Sequence, residues 1–525
     1  MIGKSGDVAK AHSITMRGSS ATLTLGPGGR LTVYGDMFIE NKGQFVINQH
    51  SSSMPSFICN GSMVYFGDKT KAYDGVLVNR TFATARLWYV GSAIKGSGIY
   101  DASALNNVNV SGGDALSYFD TQKDVYVYEP NFGPDQCGGT LGLTKQFNGT
   151  DYAERTISQM GELQSRTTVT RTLHLKNGGS YGWNLLTNPY PFSLDLKSNV
   201  FSYTKDKVNP VIWFRSKNGA GYYFSTYSLE TKVGVNMNLT DGGTSTAESV
   251  YSLAPHQAFF VKTVAEGSTF TFDPSTSSHI QDVTLKSTAD DESDVLRLVI
   301  SSAEANADET ALIFREGGTF ESNSVDAGKR MESDKFNQIY TLKGSAEYAI
   351  AAMPQTSAIG ENVLPIGVKV SSKSSAAVIR ATNIDTFDPS VDVYLYDFET
   401  GDVVSLRSQP RYEFEMASGT SISRFGIGLQ PSQSQTEGGA TGVAEQRRGA
   451  ISISGDGREA SVVIADDLLA NDAQISVFDI SGRLIRQVRT RNAVSRLTLG
   501  PAGVYMVRVK AGAEVRQERV CSHGI

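Results

Sequence analysis

Two stretches near the C-terminus decide the fold: Ile475-Ser476-Val477-Phe478-Asp479-Ile480-Ser481-Gly482-Arg483 and Leu499-Gly500-Pro501-Ala502-Gly503-Val504-Tyr505-Met506-Val507-Arg508-Val509. Each is a short apolar run broken by a turn signal, the pattern of strands in an antiparallel sheet. Ile475 to Asp479 reads as one strand, Asp479-Ile480-Ser481-Gly482 as a tight turn and Arg483 to Val488 as the returning strand. A second turn at Ala511-Gly512 leads back through Val515 to Val520. Alternation puts Tyr505, Val507 and Val509 on one buried face, with Met506 and Arg508 opposite. Gly482 and Gly503 suit turn geometries that strain other residues, and Asp479 can cap its turn through its side chain.

Moving toward the N-terminus, Gln430 to Gly449 is rich in Gln, Ser, Gly, Thr and Glu. Such a composition buries too little surface to fold and reads as a tether. Residues 431–449 therefore separate a terminal module, 450–525, from everything before it.

The upstream chain is also built of strands. Leu296, Leu298 and Ile300 share a face, followed by Leu312-Ile313-Phe314, Tyr348-Ala349-Ile350, Leu364 to Val370 and Val393 to Asp397. Glu399-Thr400-Gly401-Asp402 makes a hairpin turn, and Arg424-Phe425-Gly426-Ile427-Gly428-Leu429 closes a β-sandwich over 287–430. One helical piece is predicted there, Asp326 to Lys335. The polar break Ser287 to Asp294 marks its start. From 83 to 286 the strands lengthen and aromatics concentrate, as in Arg86-Leu87-Trp88-Tyr89-Val90, Asp124 to Tyr128 and Val211-Ile212-Trp213-Phe214. Phe259 and Val261 alternate with Phe260, as in a strand covered on both sides. Residues 1–82 hold short, evenly spaced strands punctuated by Gly26-Pro27-Gly28-Gly29, Gly35-Asp36 and Asn41-Lys42-Gly43. Their spacing suits a β-solenoid, with a flat antiparallel meander as the competitor.

The chain of 525 residues carries a net charge of −6, with 40% hydrophobic residues and 52 Gly. That length predicts several domains with real cores. Basic residues form no stripe, so nucleic-acid binding has no electrostatic footprint. Cys59, Cys137 and Cys521 lack metal or disulfide spacing. No apolar run is long enough for a transmembrane helix. Met1 to Gly6 lacks the apolar core of a signal peptide. Either the start is misassigned or the chain is the truncated C-terminal piece of a longer protein, and its opening within a β pattern favours the latter.

Catalytic signals are weak. His12, His50, His174, His256, His279 and His523 show no ligand spacing. His256, in a Pro-His-Gln segment before a strand, reads as a surface turn. Gly178-Gly179-Ser180-Tyr181-Gly182 matches the nucleophile-elbow pattern formally but leads into a strand rather than a helix, so it reads as a Gly-rich turn. Gly26 to Gly29 lacks the Gly-Lys-Ser/Thr of a phosphate loop. Asp290-Asp291-Glu292 and Asp294 lack calcium-loop alternation. Tyr222-Tyr223-Phe224 is the densest aromatic run for a sugar platform, although such a run more often packs a core or a strand edge. No catalytic, cofactor or metal site is expected.

The order Val-Phe-Asp-Ile-Ser-Gly-Arg (477–483) then Leu-Gly-Pro-Ala-Gly-Val-Tyr-Met-Val-Arg-Val (499–509) resembles the type A C-terminal sorting domain of the type IX secretion system of Bacteroidota. Asp479, Gly482, Arg483, Gly503, Tyr505, Val507 and Val509 carry that likeness. Two departures are the missing Asn-Pro, replaced by Ile451-Ser452-Ile453-Ser454, and an end other than Lys. Gly182 to Pro191 and Leu253 to Lys262 resemble paired segments of a jelly-roll-like domain in large secreted Bacteroidota surface proteins. Residues 295–430 resemble the second sandwich that precedes the sorting domain there. The resemblance implies an all-β protein with a small Ig-like C-terminal sandwich, passing through the periplasm to be secreted or attached to the cell surface. It further implies outer-membrane export machinery and a sortase-like peptidase as partners, with removal of the tail and attachment to lipopolysaccharide. The upstream domains would be adhesive or structural, taking a glycan or host-surface ligand. The alternative is a polysaccharide-degrading enzyme with the same tail.

Overall fold

The computed structural model describes residues 2, 8–18, 20–39, 44–50, 55–60, 63–65, 76–82, 87–92, 94, 115–128, 139–142, 155–218, 221–237, 251–276, 294–303, 305, 307–360, 362–432, 451–456, 459–464, 468–469, 472–479, 482–500, 503–512 and 514–522. Cys137, His279, His523, the acidic run 290–292 and tether residues 433–449 lie outside them. Contacts divide the chain into two compact units, 1–218 with 224–287 and 219–223 with 288–525. The protein is nearly all β. Among the described residues helix amounts to Thr356–Ile359, a 3-10 turn at Pro274–Thr276 and Leu468 in 3-10 conformation.

The first unit begins with a parallel solenoid. Val8–Ala11, Arg30–Val33 and Ser56–Cys59 stack in parallel register, as do Ile14–Met16, Met37–Ile39 and Met63–Tyr65. Leu23–Leu25, Phe45–His50 and Val76–Phe82 form the third stack. The meander reading would need antiparallel neighbours; the parallel register excludes it. Leu25, Val33, Ile39, Phe45 and Val78 line the interior. Between coils, Asn79 Nδ2 donates to Asn48 Oδ1 at 2.9 Å, so equivalent positions satisfy one another. Arg155–Gly161 pairs antiparallel with Val76–Phe82 and closes this stack.

Beyond the solenoid lies a three-layer β assembly. Gly182–Thr187, Ala258–Thr263, Val211–Asn218, Gly221–Ser228 and Gly234–Val235 make a central five-stranded sheet. One face packs through Leu186, Ile212, Phe259 and Val261 toward Phe270 and Phe272, which belong to the three-stranded sheet of Val169–Leu173, Ser268–Phe272 and Phe201–Tyr203. The other face carries Phe260, whose ring lies 4.9 Å from Phe119 and 5.6 Å from Tyr89, in the sheet of Leu87–Val90, Gly139–Gly142, Ala115–Asp120 and Val125–Tyr128. Phe259, Phe260 and Val261 are all fully buried, which explains why this strand is apolar on successive residues. Gly182–Thr187 pairs directly with Ala258–Thr263. Asn188, buried at the end of the first, donates through Nδ2 to the carbonyls of Phe192 (2.9 Å) and Ala254 (3.0 Å) and accepts from the Tyr190 amide (3.0 Å). The two segments that stand out in the sequence are thus one structural motif.

In the second unit a single continuous sheet runs from Asp402–Ser405 through Val391–Asp397, Gly419–Pro431, Val363–Val370, Gln338–Lys343, Ala346–Met353, Asp308–Phe314, Val295–Ser301 and Ala376–Ala381 to Arg411–Glu415. It rolls around one core that includes Leu296, Leu298, Ile339, Ile366, Leu395 and Ile427. Its two ends are joined by side chains. The Tyr412 hydroxyl is shared between Asp397 Oδ2 (3.0 Å) and Asp402 Oδ2 (2.9 Å), and Arg424 binds Asp397 while donating to the Glu415 carbonyl at 2.7 Å. The sandwich expected over 287–430 is therefore one sheet folded on itself.

The predicted helix Asp326 to Lys335 is absent. Ala327–Gly328 pairs with Ala346–Met353 instead, and the rest is turn and irregular backbone. The carboxylate of Asp326 is engaged by Lys343 Nζ at 2.8 and 2.9 Å and by the Ala352 amide at 2.8 Å, which fixes the backbone against the sheet.

The C-terminal module comprises two sheets. Ile451–Asp456, Glu459–Ile464 and Val494–Thr498 form one; Leu484–Thr490, Ala473–Asp479, Gly503–Ala511 and Glu514–Ser522 form the other. Ile453, Val462, Ile475, Val477, Val507 and Val509 make a core of its own.

Candidate functional site

The turn linking Ala473–Asp479 to Leu484–Thr490 carries three of the singled-out residues. The Gly482 amide donates to the Asp479 carbonyl at 2.9 Å, closing the turn, and the Asp479 amide donates to the Arg483 carbonyl at 3.0 Å. The Asp479 carboxylate caps it, accepting from the Arg483 amide at 3.0 Å and from Arg483 Nε at 3.2 Å. Gly482 has φ +79°, a left-handed conformation costly for a residue with a Cβ. Arg483 points into solvent.

Tyr505, Val507 and Val509 line the module's core, as their alternation predicts, while Gly503 is exposed at the start of the strand. Met506 and Arg508 lie on the opposite face, and both are buried as well. Their strand neighbours on that face, Ser476, Phe478 and Gln517, are buried too.

The cover is the folded sheet of residues 294–432. A Cβ on Gly482 would overlap the Val363 carbonyl oxygen. The Leu484 amide donates to Asn362 Oδ1 at 2.9 Å, and Arg519 Nη1 lies 3.4 Å from Ser423 Oγ. The Arg508 guanidinium stands 5.9 Å from the centre of the Tyr396 ring. Gly428 leaves room for the Tyr396 ring and Gly426 for the Val363 side chain, which a Cβ at either position would strike. Val363, Pro365, Phe398, Ile422, Phe478 and Met506 line a small crevice between the two, with about 40 Å³ open to water. The fit is incomplete: Arg508 Nε and both amide atoms of Gln517 are buried with no hydrogen-bond partner. The contact residues Asn362, Val363 and Ile422 went unrecognised in the sequence. The available signal was the apolar pair Val504 and Met506 on the face opposite Tyr505 and Val507.

Chemistry elsewhere centres on His256. It is not a surface turn: it is wholly buried, with φ +57°. Neither ring nitrogen has a hydrogen-bond partner. Burial, reinforced by the nearby Arg80 guanidinium, holds it well below its ordinary value of 6.5, so it is a neutral imidazole at pH 7. Arg80 Nη1 donates to the Gly91 carbonyl at 3.0 Å, and the Gly91 amide to the His256 carbonyl at 3.1 Å. Gln49, in strand register with Arg80, also has its amide buried and unpartnered.

Among the described residues no group of three His, Cys, Asp or Glu could hold a metal ion. The buried carboxylates Asp308, Asp326 and Asp397 each face a cation, Lys329, Lys343 and Arg424 respectively. Gly178 to Gly182 forms a turn into a strand, with the Lys176 amide bonded to the Tyr181 carbonyl. Tyr223 and Phe224 are buried within their strand, so they offer no sugar platform; the side chain of Tyr222 lies outside the described residues.

No curated protein matches this chain. Among solved structures, E. coli α2-macroglobulin spanning domains MG0-NIE-MG1 is similar at 10% identity and a TM-score of 0.12, covering 43% of this chain and 86% of that one. The 47-kilodalton lipoprotein Tp47 of Treponema pallidum is similar at 10% identity and a TM-score of 0.12, covering 68% and 91%. Residues 1–428 match a family described only as a domain of unknown function, and the match stops within the strand Gly419–Pro431, ahead of the tether. The chain belongs to that family, DUF8693.

Proposed function

We propose that this is an exported, multidomain β protein whose residues 450–525 serve as a type IX sorting domain and whose upstream domains form an adhesive or structural surface. One observation carries the reading: a module with a core of its own presents a capped Asp479–Arg483 turn beyond a tether-like sequence. A module that is read by separate machinery needs a core of its own, and Ile453, Val462, Val477 and Val507 form one, which supports the reading. Tyr190, Phe192, Trp213, Phe259 and Phe260 are buried in the three-layer assembly, packing that suits a stalk or scaffold. The enzyme alternative has no specific support among the described residues, because Asp308, Asp326 and Asp397 are each occupied by a cation rather than paired across a cleft.

Deleting 450–525 tests the proposal in a host with type IX machinery. The truncated protein is expected to accumulate in the periplasm. Normal surface display of the truncation overturns it.

A further inference from the structure

We propose that the strand Leu484–Thr490, at the open edge of the module's second sheet, docks an acidic, extended segment of a partner protein. The segment adds as a further strand, with its carboxylates opposite Arg486 and Arg489. Among the described residues Leu484–Thr490 pairs on one side only, with Ala473–Asp479. Asn362 takes up the Leu484 amide at one end. A strand so placed presents backbone donors and acceptors to any chain that can lie alongside it. Residues 491–493 lead from it to Val494–Thr498, the edge strand of the module's other sheet. That link is long enough only to cross between the sheets, so the two open edges lie side by side.

The charge on these edges has one sign. The chain is acidic overall, at −6, yet no Asp or Glu occurs from Ile480 to Ala513, a stretch that holds five arginines between 483 and 496. Arg483 and Arg491 face Asp479 and Asp472. Arg486, Arg489 and Arg496 are exposed, and no carboxylate among the described residues pairs with them. Ile485 and Val494, 43% and 57% exposed, add apolar surface on the same two strands.

A second copy of this chain is the wrong occupant. Centred antiparallel pairing of two such strands sets Arg486 opposite Arg489 twice, and like charges directly opposite destabilise a pair. An acidic strand turns both repulsions into attractions. The planar fork of arginine also holds a carboxylate through two parallel hydrogen bonds, which lysine cannot do. Arg486 and Arg489 stand three apart, so they project to opposite faces of the strand. The fitting segment therefore carries two acidic residues at the same spacing. This edge is a property of the module's surface and does not depend on the export reading.

Amide exchange in the full chain, read by mass spectrometry, tests the proposal. The acidic probe is the peptide Thr-Val-Glu-Val-Thr-Glu-Val-Thr, and the control carries Gln for Glu. The acidic peptide should slow exchange across 485–490, and the control should need roughly tenfold more peptide for the same protection. Raising salt from about 50 mM to about 500 mM should remove most of that difference. In Arg486→Gln/Arg489→Gln the two peptides should act alike, while the Val507 amide in the module's core stays protected. Equal action of both peptides on the wild type, or no slowing across 485–490, overturns the proposal. Binding of dextran sulfate where the acidic peptide has no effect also overturns it, in favour of a charged patch without strand pairing. Dimerisation of the double variant, with the wild type indifferent to the peptide, overturns it as well, leaving the arginines as guards of the edge alone. The deletion experiment reads export separately, so either result can fail without the other.

Discussion

Gly482 and the Val363 carbonyl oxygen approach so closely that a Cβ cannot stand between them, and Gly482 also holds φ +79°. One residue therefore serves two demands, a left-handed turn inside the module and a close approach to the sheet outside it. Gly482→Ala is expected to lose about 1 kcal/mol from the turn alone and to undock the module as well. Asn362→Ala, which leaves the turn intact, should release only the Leu484 amide. Hydrogen exchange at Leu484 and Val507 checks both: Leu484 should speed up in each variant, and Val507 should respond only to Gly482→Ala.

The Asp326–Lys343 pair is completely buried, with burial pushing the lysine down against the pull of the carboxylate. Lys343→Met would strand a buried carboxylate and should cost about 3–5 kcal/mol, whereas Asp326→Leu/Lys343→Met should recover much of that loss. Denaturant midpoints of the wild type, Lys343→Met, Asp326→Leu and the double variant form a double-mutant cycle. Additive losses would contradict a coupled pair.

Tyr412 joins the ends of the folded sheet through Asp397 and Asp402. Tyr412→Phe keeps the packing against Phe425 and removes only the hydroxyl. It should lower stability by about 1.5–3 kcal/mol, the range for hydrogen bonds to charged groups. Faster amide exchange in the end strands Asp402–Ser405 and Arg411–Glu415, relative to Val295–Ser301, should accompany the loss.

His256 makes the first unit sensitive to acid. Its folded-state value lies below 6.5, so between the two values the unfolded chain binds a proton that the folded chain refuses. Stability is therefore full above pH 6.5 and falls below it, by up to about 1.4 kcal/mol per pH unit from this residue. His256→Asn, which tolerates the positive φ, should start lower at pH 7.5 because the smaller side chain leaves a cavity, yet lose less on going to pH 5.5. Thermal midpoints at the two pH values read this directly.

The sequence made the β class legible because alternation is local: Phe259, Phe260 and Val261 announce a doubly covered strand without reference to any partner. Even spacing favoured the solenoid over the meander only narrowly, since Leu23-Thr24-Leu25 reads alike in both and its parallel pairing with Phe45 to Ile47 is long-range. Asp326 to Lys335 misled because its polar residues suit a helix, while the decisive partner, Lys343, acts from the adjoining strand. His256 misled for a similar reason, its polarity suggesting water where the fold supplies burial. At the module, the Asp479 cap was visible in the local turn. The sheet face that covers the module was not, because Asn362 and Ile422 acquire meaning only when the sheet brings them beside Gly482 and Met506.

The central claim concerns what the terminal hairpins do for the rest of the chain. Fusing residues 432–525 to a secretable reporter, and expressing it in Bacteroidota hosts with and without type IX machinery, measures that most directly. The account predicts reporter on the surface or in the medium of the first host only, with retention in the periplasm of the second. Periplasmic reporter in both hosts would contradict it.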